Sequence, residues 1–384
     1  MKPLLSCLAV CLLATWPLRP ADAAGPLLTE AIALNGPVMW LSSGAPGLVL
    51  GLVHDGDTIV AGYGSTRPKE GQTGEAGPAP DGRTLLRLGS ISKVFAGELL
   101  AGLAAEGRVR LTDPLQRYLP ADTSVPRFGT RAITLLDLAT YSAALPREMG
   151  DAPSDAAPFT WPTRSERLAW LATVKLGWAP GSVALYSNVG FDLLGDALES
   201  AAGASYATLL AARITGPLGM TDTTLNPTAE QCARLMQGTG IGAPPAPVCT
   251  DTEATQASGG LYSTGADMVR WVQHNLDRAD AATWPTLALA HAVYRQRQEM
   301  TAASGFDDAA PMAGLALGWV MQAAHGAMPM LLTKSGGGGG FMTYVAIAPG
   351  RATGVFVAVN RVDFPMFGGL ITAANGLIAA LVTR

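Results

Sequence analysis

The sequence predicts an α+β fold in which one antiparallel sheet is assembled from both chain ends, with a helical region inserted between them. Residues 47 to 64, GLVLGLVHDGDTIVAGYG, form two β-rich runs around Asp55-Gly56, a dipeptide favoured in tight hairpin turns. Residues 340 to 360, GFMTYVAIAPGRATGVFVAVN, repeat that pattern around Pro349-Gly350. Between them lie segments with helical periodicity, at 91 to 106, 165 to 176, 189 to 202, 205 to 213 and 264 to 276.

Residues 1 to 23, MKPLLSCLAVCLLATWPLRPADA, carry Lys2, an apolar stretch from Leu4 to Trp16 and the small-residue pattern Ala21-Asp22-Ala23. This is the layout of a secretory signal peptide, and the mature chain is expected to start near Ala24. A lipidated Cys11 is the rival reading, but the apolar run continues through Leu12 and Leu13, so cleavage there would fall inside it. An exported, soluble protein is expected, since no other stretch approaches the roughly 20 apolar residues that span a bilayer. Formal net charge is -4 with no basic cluster, which speaks against capture of nucleic acid.

Residues 24 to 384 read as one catalytic domain, with its sheet-forming part over about 24–85 and 310–384 and its helical part over about 86–309. Residues 65 to 83 and 150 to 162 are surface loops by composition. The last segment places Leu370, Ile371, Ala374, Leu377, Ile378 and Leu381 on one helical face, which needs an apolar surface such as the sheet to cover. Cys232 and Cys249 are the two cysteines left after removal of the signal, and they flank a Gly/Pro-rich loop. In an oxidising compartment they are expected to form a disulfide, contributing about 3 kcal/mol for a loop of that length. A metal site would need more ligands, and His54, His274, His291 and His325 show no paired-ligand spacing. No metal and no cofactor is expected.

The stretch TLLRLGSISKVFAGELL, residues 84 to 100, sets Ser90 before what reads as an amphipathic helix, with Lys93 three residues on. S-x-x-K alone is a weak signal, and a Ser N-cap followed by a surface lysine is the commoner explanation of it. A serine hydroxyl is a poor nucleophile until a base takes its proton, and a helix sets residues i and i+3 side by side. Lysine serves as that base only if burial or a neighbouring cation lowers its pKa. No G-x-S-x-G elbow is present, so no histidine is signposted as the base instead. Two more stretches supply partners: Tyr186-Ser187-Asn188 before a helix, and Lys334-Ser335-Gly336 entering the C-terminal hairpin.

These three motifs, S-x-x-K, Y-x-N and K-[ST]-G in this order, resemble those of the serine penicillin-recognising superfamily of class C β-lactamases, DD-peptidases and related esterases. Stretches such as LATYSAALPRE, YSNVGFDLLGDALE and SGGLYSTGADMVRW look specifically like the AmpH-type D-alanyl-D-alanine carboxypeptidase/endopeptidase branch. The resemblance implies a β-lactamase/transpeptidase-like fold and a periplasmic enzyme, free or peripheral to the inner membrane, acting on peptidoglycan muropeptides with β-lactams as covalent ligands. It implies Ser90 as nucleophile, Lys93 and Tyr186 as shared general base, and Asn188 as the holder of the acyl amide. Lys334, Ser335 and Gly336 would face the substrate's terminal carboxylate, with Ser335 where threonine is common. Backbone N–H groups of Ser90 and Gly337 would form the oxyanion hole, and Glu148 would contact substrate from a polar loop. A class C-type β-lactamase or an esterase shares every motif and is the alternative. A receptor whose acylation is a signal is a third class, against which retention of all three motifs argues for turnover.

Overall fold

The computed structural model describes residues 25–68, 76–240 and 249–383. The expected signal peptide and residues 69–75 of the first surface loop lie outside the described residues.

Eight strands form one sheet: β1 (Gly47–His54), β2 (Asp57–Gly64), β3 (Arg295–Gln296), β4 (Gly314–Leu315), β5 (Val320–Gln322), β6 (Leu331–Gly338), β7 (Phe341–Ala348) and β8 (Thr353–Val359). Their order is β2-β1-β8-β7-β6-β5-β4-β3, antiparallel throughout, so both chain ends meet where β1 pairs with β8. Both expected hairpins are present. Asp55 and Gly56 turn β1 into β2 with positive φ at both positions. The second hairpin is longer at its turn, a single 3-10 turn at Pro349–Arg351 followed by Ala352 at φ 44°.

The period-two pattern of these strands divides the core. Leu48, Leu50 and Leu52 of β1 join Val355, Val357 and Val359 of β8 on one face, while Val49, Val53, Phe356 and Ala358 point to the other. The first face is covered by the terminal helices, α1 (Pro26–Ser43) and α8 (Phe364–Val382), packed side by side. The six α8 residues expected on one face are all buried. By length and composition α8 is also apolar enough to cross a bilayer, with mean hydropathy 1.6, contrary to the expectation that no such stretch follows the signal. Here one face of it, including those six residues, is seated on the sheet, and 44% of the span is buried.

The other face carries the helical region: α2 (Ser92–Ala105), α3 (Arg164–Leu171), α4 (Asn188–Ala202), α5 (Tyr206–Leu210), α6 (Gly265–Leu276) and α7 (Trp284–His291). Three expectations change in detail. α2 is not amphipathic in its setting, since every residue from Ser92 to Leu103 is buried. Its acid Glu98 is accommodated there by Trp271 and His274, which meet its two oxygens at 2.9 Å each. α3 stops short of residue 176: the Thr173 and Val174 N–H groups bond three residues back, to the Trp170 and Leu171 carbonyls at 2.8 and 3.3 Å, instead of four. α5 ends at Leu210 and passes into a π turn over Ala211–Thr215.

Candidate active site

Ser90 lies in a 3-10 turn, Gly89–Ile91, that leads into α2. Three ties hold this turn. The Ser92 hydroxyl donates to the Gly89 carbonyl at 2.8 Å and accepts the Leu261 N–H at 3.1 Å. The Thr343 hydroxyl on β7 donates to the Leu88 carbonyl at 2.7 Å. A side chain on Gly336 would overlap that same carbonyl, so only glycine lets β6 lie against the Ser90 turn. Gly89, at φ 54°, has its Cβ direction 2.7 Å from the Gly337 nitrogen. The backbone amides around Ser90 and Gly337 are thereby brought together.

Lys93, one α2 turn along, is fully buried. Its ammonium donates to Ser90 Oγ at 3.1 Å, to Asn188 Oδ1 at 2.6 Å and to the Ser258 carbonyl at 2.6 Å. A surface lysine has no such set of partners. Burial lowers its pKa to about 8, with Lys334 pushing the same way and Tyr186 and Asp192 pushing back. Asp192 of α4 accepts the Ser258 N–H at 3.2 Å, so it steadies the peptide whose carbonyl holds the lysine. Burial raises the Asp192 pKa to about 7, against the pull of Arg167, Ser258 and Lys93.

Tyr186 and Asn188 flank the start of α4. Ser187, not Asn188, caps this helix: its hydroxyl accepts the Gly190 N–H at 3.0 Å and donates to the Pro146 carbonyl at 2.6 Å. That leaves the Asn188 amide for the cleft, where its Nδ2 donates to Glu148 and its oxygen receives Lys93. Glu148 is therefore brought to the site, with Arg147 beside it at 3.9 Å. Tyr186 is almost buried, and the ammonium groups of Lys93 and Lys334 each lie 4.9 Å from its ring centroid. Burial raises the phenol pKa, but Lys334, then Lys93, and hydrogen bonds with Ser90 and Lys334 outweigh it and bring the value to about 8.

Lys334 and Ser335 stand on β6. Lys334 Nζ also donates to the Ser335 carbonyl at 2.7 Å. A cleft of about 460 Å³ runs past Ser90, Arg147, Tyr186, Lys334, Ser335 and Gly337. A larger and more open depression of about 770 Å³, near His54 and Arg278, contains none of these groups. The structure also brings in residues that no sequence motif marks. Phe306 and Asp307 line the cleft, and Asp307 accepts a hydrogen bond from the Ser335 hydroxyl. Ser258 and Asp192 lie beneath Lys93. Asp307 sits in SGFDDAA and carries no motif, whereas Asp192 at i+4 from Asn188 on a helical face was detectable by spacing alone. Cys232 and Cys249 are bonded, with Cα atoms 5.8 Å apart.

Comparisons with known proteins bear on this site. The protein-family model described as Beta-lactamase matches residues 28–379. The D-alanyl-D-alanine-carboxypeptidase/endopeptidase AmpH of Escherichia coli strain K12 is 38% identical over 343 residues, covering 89% of this chain and 86% of its own. Among solved structures, a beta-lactamase/D-alanine carboxypeptidase from Yersinia pestis, complexed with citrate, superposes with a TM-score of 0.84 at 38% identity, over 93% of this chain and 100% of its own. A class C beta lactamase from Rhodobacter sphaeroides, at 22% identity and a TM-score of 0.72 over 91% of this chain and 99% of its own, shares the fold. With the three motifs converging on one cleft and the family match running through nearly every described residue, the chain belongs to the Beta-lactamase family.

Proposed function

We propose that this protein is a serine-type D-alanyl-D-alanine carboxypeptidase and endopeptidase, exported by its N-terminal signal, that acts on peptidoglycan peptides through a Ser90 acyl-enzyme. The observation that carries the reading is the Lys93 ammonium, buried and shared between Ser90 Oγ and Asn188 Oδ1. A lysine so held, with a depressed pKa, is what a serine nucleophile without a histidine requires. The 38% identity to the E. coli carboxypeptidase/endopeptidase over most of both chains supports the substrate class.

In this mechanism Ser90 Oγ bonds to the carbonyl carbon of the penultimate D-alanine, and its proton passes to the Tyr186–Lys93 pair. Both groups are held below their ordinary values, Lys93 chiefly by burial and Tyr186 by the two lysines beside it, which suits the pair to take and return the Ser90 proton. The N–H groups of Ser90 and Gly337 hold the oxyanion, an arrangement worth several kcal/mol at the transition state. The C–N bond then breaks, the leaving amine takes the proton from the pair, and water resolves the ester by the same route in reverse. Asn188 and Glu148 orient the acyl-side amide. β5 pairs with Leu331 to Thr333 only, so from Lys334 onward that side of β6 is open for the substrate backbone to add as a strand.

β-Lactams enter the same reaction as covalent ligands, and a class C-type β-lactamase would differ only in how fast water removes the acyl group. Incubation with purified pentapeptide and cross-linked muropeptides tests the reading. Release of D-alanine from the first and cleavage of the second are expected, both lost in Ser90→Ala. Activity that survives in Ser90→Ala would place the nucleophile elsewhere.

A further inference from the structure

Asp192 lies one turn along α4 from Asn188, on the same side of the helix, and its side chain is buried. Its Oδ1 accepts the Ser258 N–H at 3.2 Å, and the Ser258 carbonyl accepts the Lys93 ammonium at 2.6 Å. Asn188 Oδ1 takes that same ammonium at 2.6 Å. Two successive turns of α4 therefore hold Lys93, one directly by an amide and the other by a carboxylate acting through Ser258.

Charged and titratable groups face Asp192 from the elements around it. Lys93 comes from α2 and Arg167 from α3. Arg167 directs its hydrogen bonds to Asp196 and to the Pro162 and Ala254 carbonyls, so its charge is engaged elsewhere. Asp196, on the helix of Asp192 itself, opposes its ionisation. Tyr206 of α5 is a buried phenol whose pKa the Asp192 charge helps to raise. On the cleft side, Lys334 and Arg147 lie 4.9 and 4.8 Å from the Tyr186 ring centroid. Lys334 favours loss of a proton from both Lys93 and Tyr186, whereas a carboxylate beneath Lys93 favours its retention.

We propose that Asp192 is a positioning residue that sets the proton affinity of the Tyr186–Lys93 pair, by fixing Ser258 against the Lys93 ammonium and by placing a negative charge beneath it. A negative charge there favours the protonated pair whether the proton sits on nitrogen or on the phenol, so the sign of the effect is the same for either. Asp192 carries its charge above about pH 7, which is the range in which the pair gives up its proton. The inference rests on the base proposed above for Ser90.

The test follows the rate of Ser90 acylation by a chromogenic ester from pH 6 to 10 in the full protein and in Asp192→Asn. Asparagine keeps an oxygen for the Ser258 N–H and removes the charge. The midpoint of the acid limb is expected to move down by about 0.5 pH unit or more, opposite in sign to the loss of a cation from the site. Asp192→Ala removes the same charge together with the Ser258 bond, and serves as the second variant where asparagine disturbs the fold; its midpoint is expected to move the same way even if its rate falls at every pH. A midpoint that stays in place or moves up in a folded variant overturns the inference, since a residue that only braces Ser258 would change the rate without moving the profile. That result leaves the Ser90 reading intact as long as penicillin forms an adduct on Ser90 of the unaltered protein, and an unaltered protein acylated by neither ester nor penicillin overturns both.

Discussion

In the proposed mechanism four side chains, Ser90, Lys93, Tyr186 and Lys334, set the chemistry through mutual electrostatics. Lys334 lowers the pKa of both Tyr186 and Lys93, the first by attraction to the phenolate and the second by repulsion between cations. The sign of its removal follows. In Lys334→Met both pKa values rise, so the deprotonated form that accepts the Ser90 proton becomes scarcer at neutral pH. Acylation in the unaltered protein is expected to increase with pH through about 8. In the variant that rise should move up by about one pH unit or more, with a roughly tenfold loss of rate at pH 7. Stopped-flow acylation by a chromogenic ester across pH 6 to 10 measures it, and an unmoved profile would remove Lys334 from the electrostatics of the base.

At the scale of elements, the site depends on how secondary structures are tied beneath it. Arg167 of α3 is buried and holds Asp196 of α4 through two bonds of 2.7 and 2.6 Å, while also donating to the Pro162 and Ala254 carbonyls. Removing it in Arg167→Ala strands a buried carboxylate whose other cation, Arg164, lies 3.3 Å away at the surface. A loss of about 3–5 kcal/mol in urea unfolding is expected, and a loss under about 1 kcal/mol would mean that Arg164 replaces it. The elements themselves were unevenly legible. The hairpins at 47 to 64 and 341 to 359 were plain because alternating apolar runs bracket a turn, and the terminal helix because its stripe has a sheet to cover. No residue range for the N-terminal α1 was legible, since Pro37 interrupts its pattern. β3, β4 and β5 span only two or three residues, too few for any period to register. The three motifs were legible because their residue types are chemically unusual together. Asp307 was not, because strand register delivers it from a segment with no pattern of its own.

The whole molecule places the site at a seam. The sheet, with α1 and α8 behind it, supplies β6 with Lys334, Ser335 and the glycines, while the helical region supplies Ser90, Lys93, Tyr186 and Asn188. Each half brings groups the other lacks, which explains why motifs scattered from residue 90 to 336 act as one. The close approach of Gly336 to the Leu88 carbonyl is where the two halves are fitted to each other. Intact-mass measurement of the purified protein with a penicillin over minutes to hours, with peptide mapping of any adduct, tests the central claim most directly. A long-lived adduct on Ser90 is the predicted result. Rapid disappearance of the adduct as penicillin is consumed would contradict the peptidase reading in favour of a β-lactamase, and an adduct elsewhere, or none, would contradict Ser90 as the nucleophile of a penicillin-recognising enzyme.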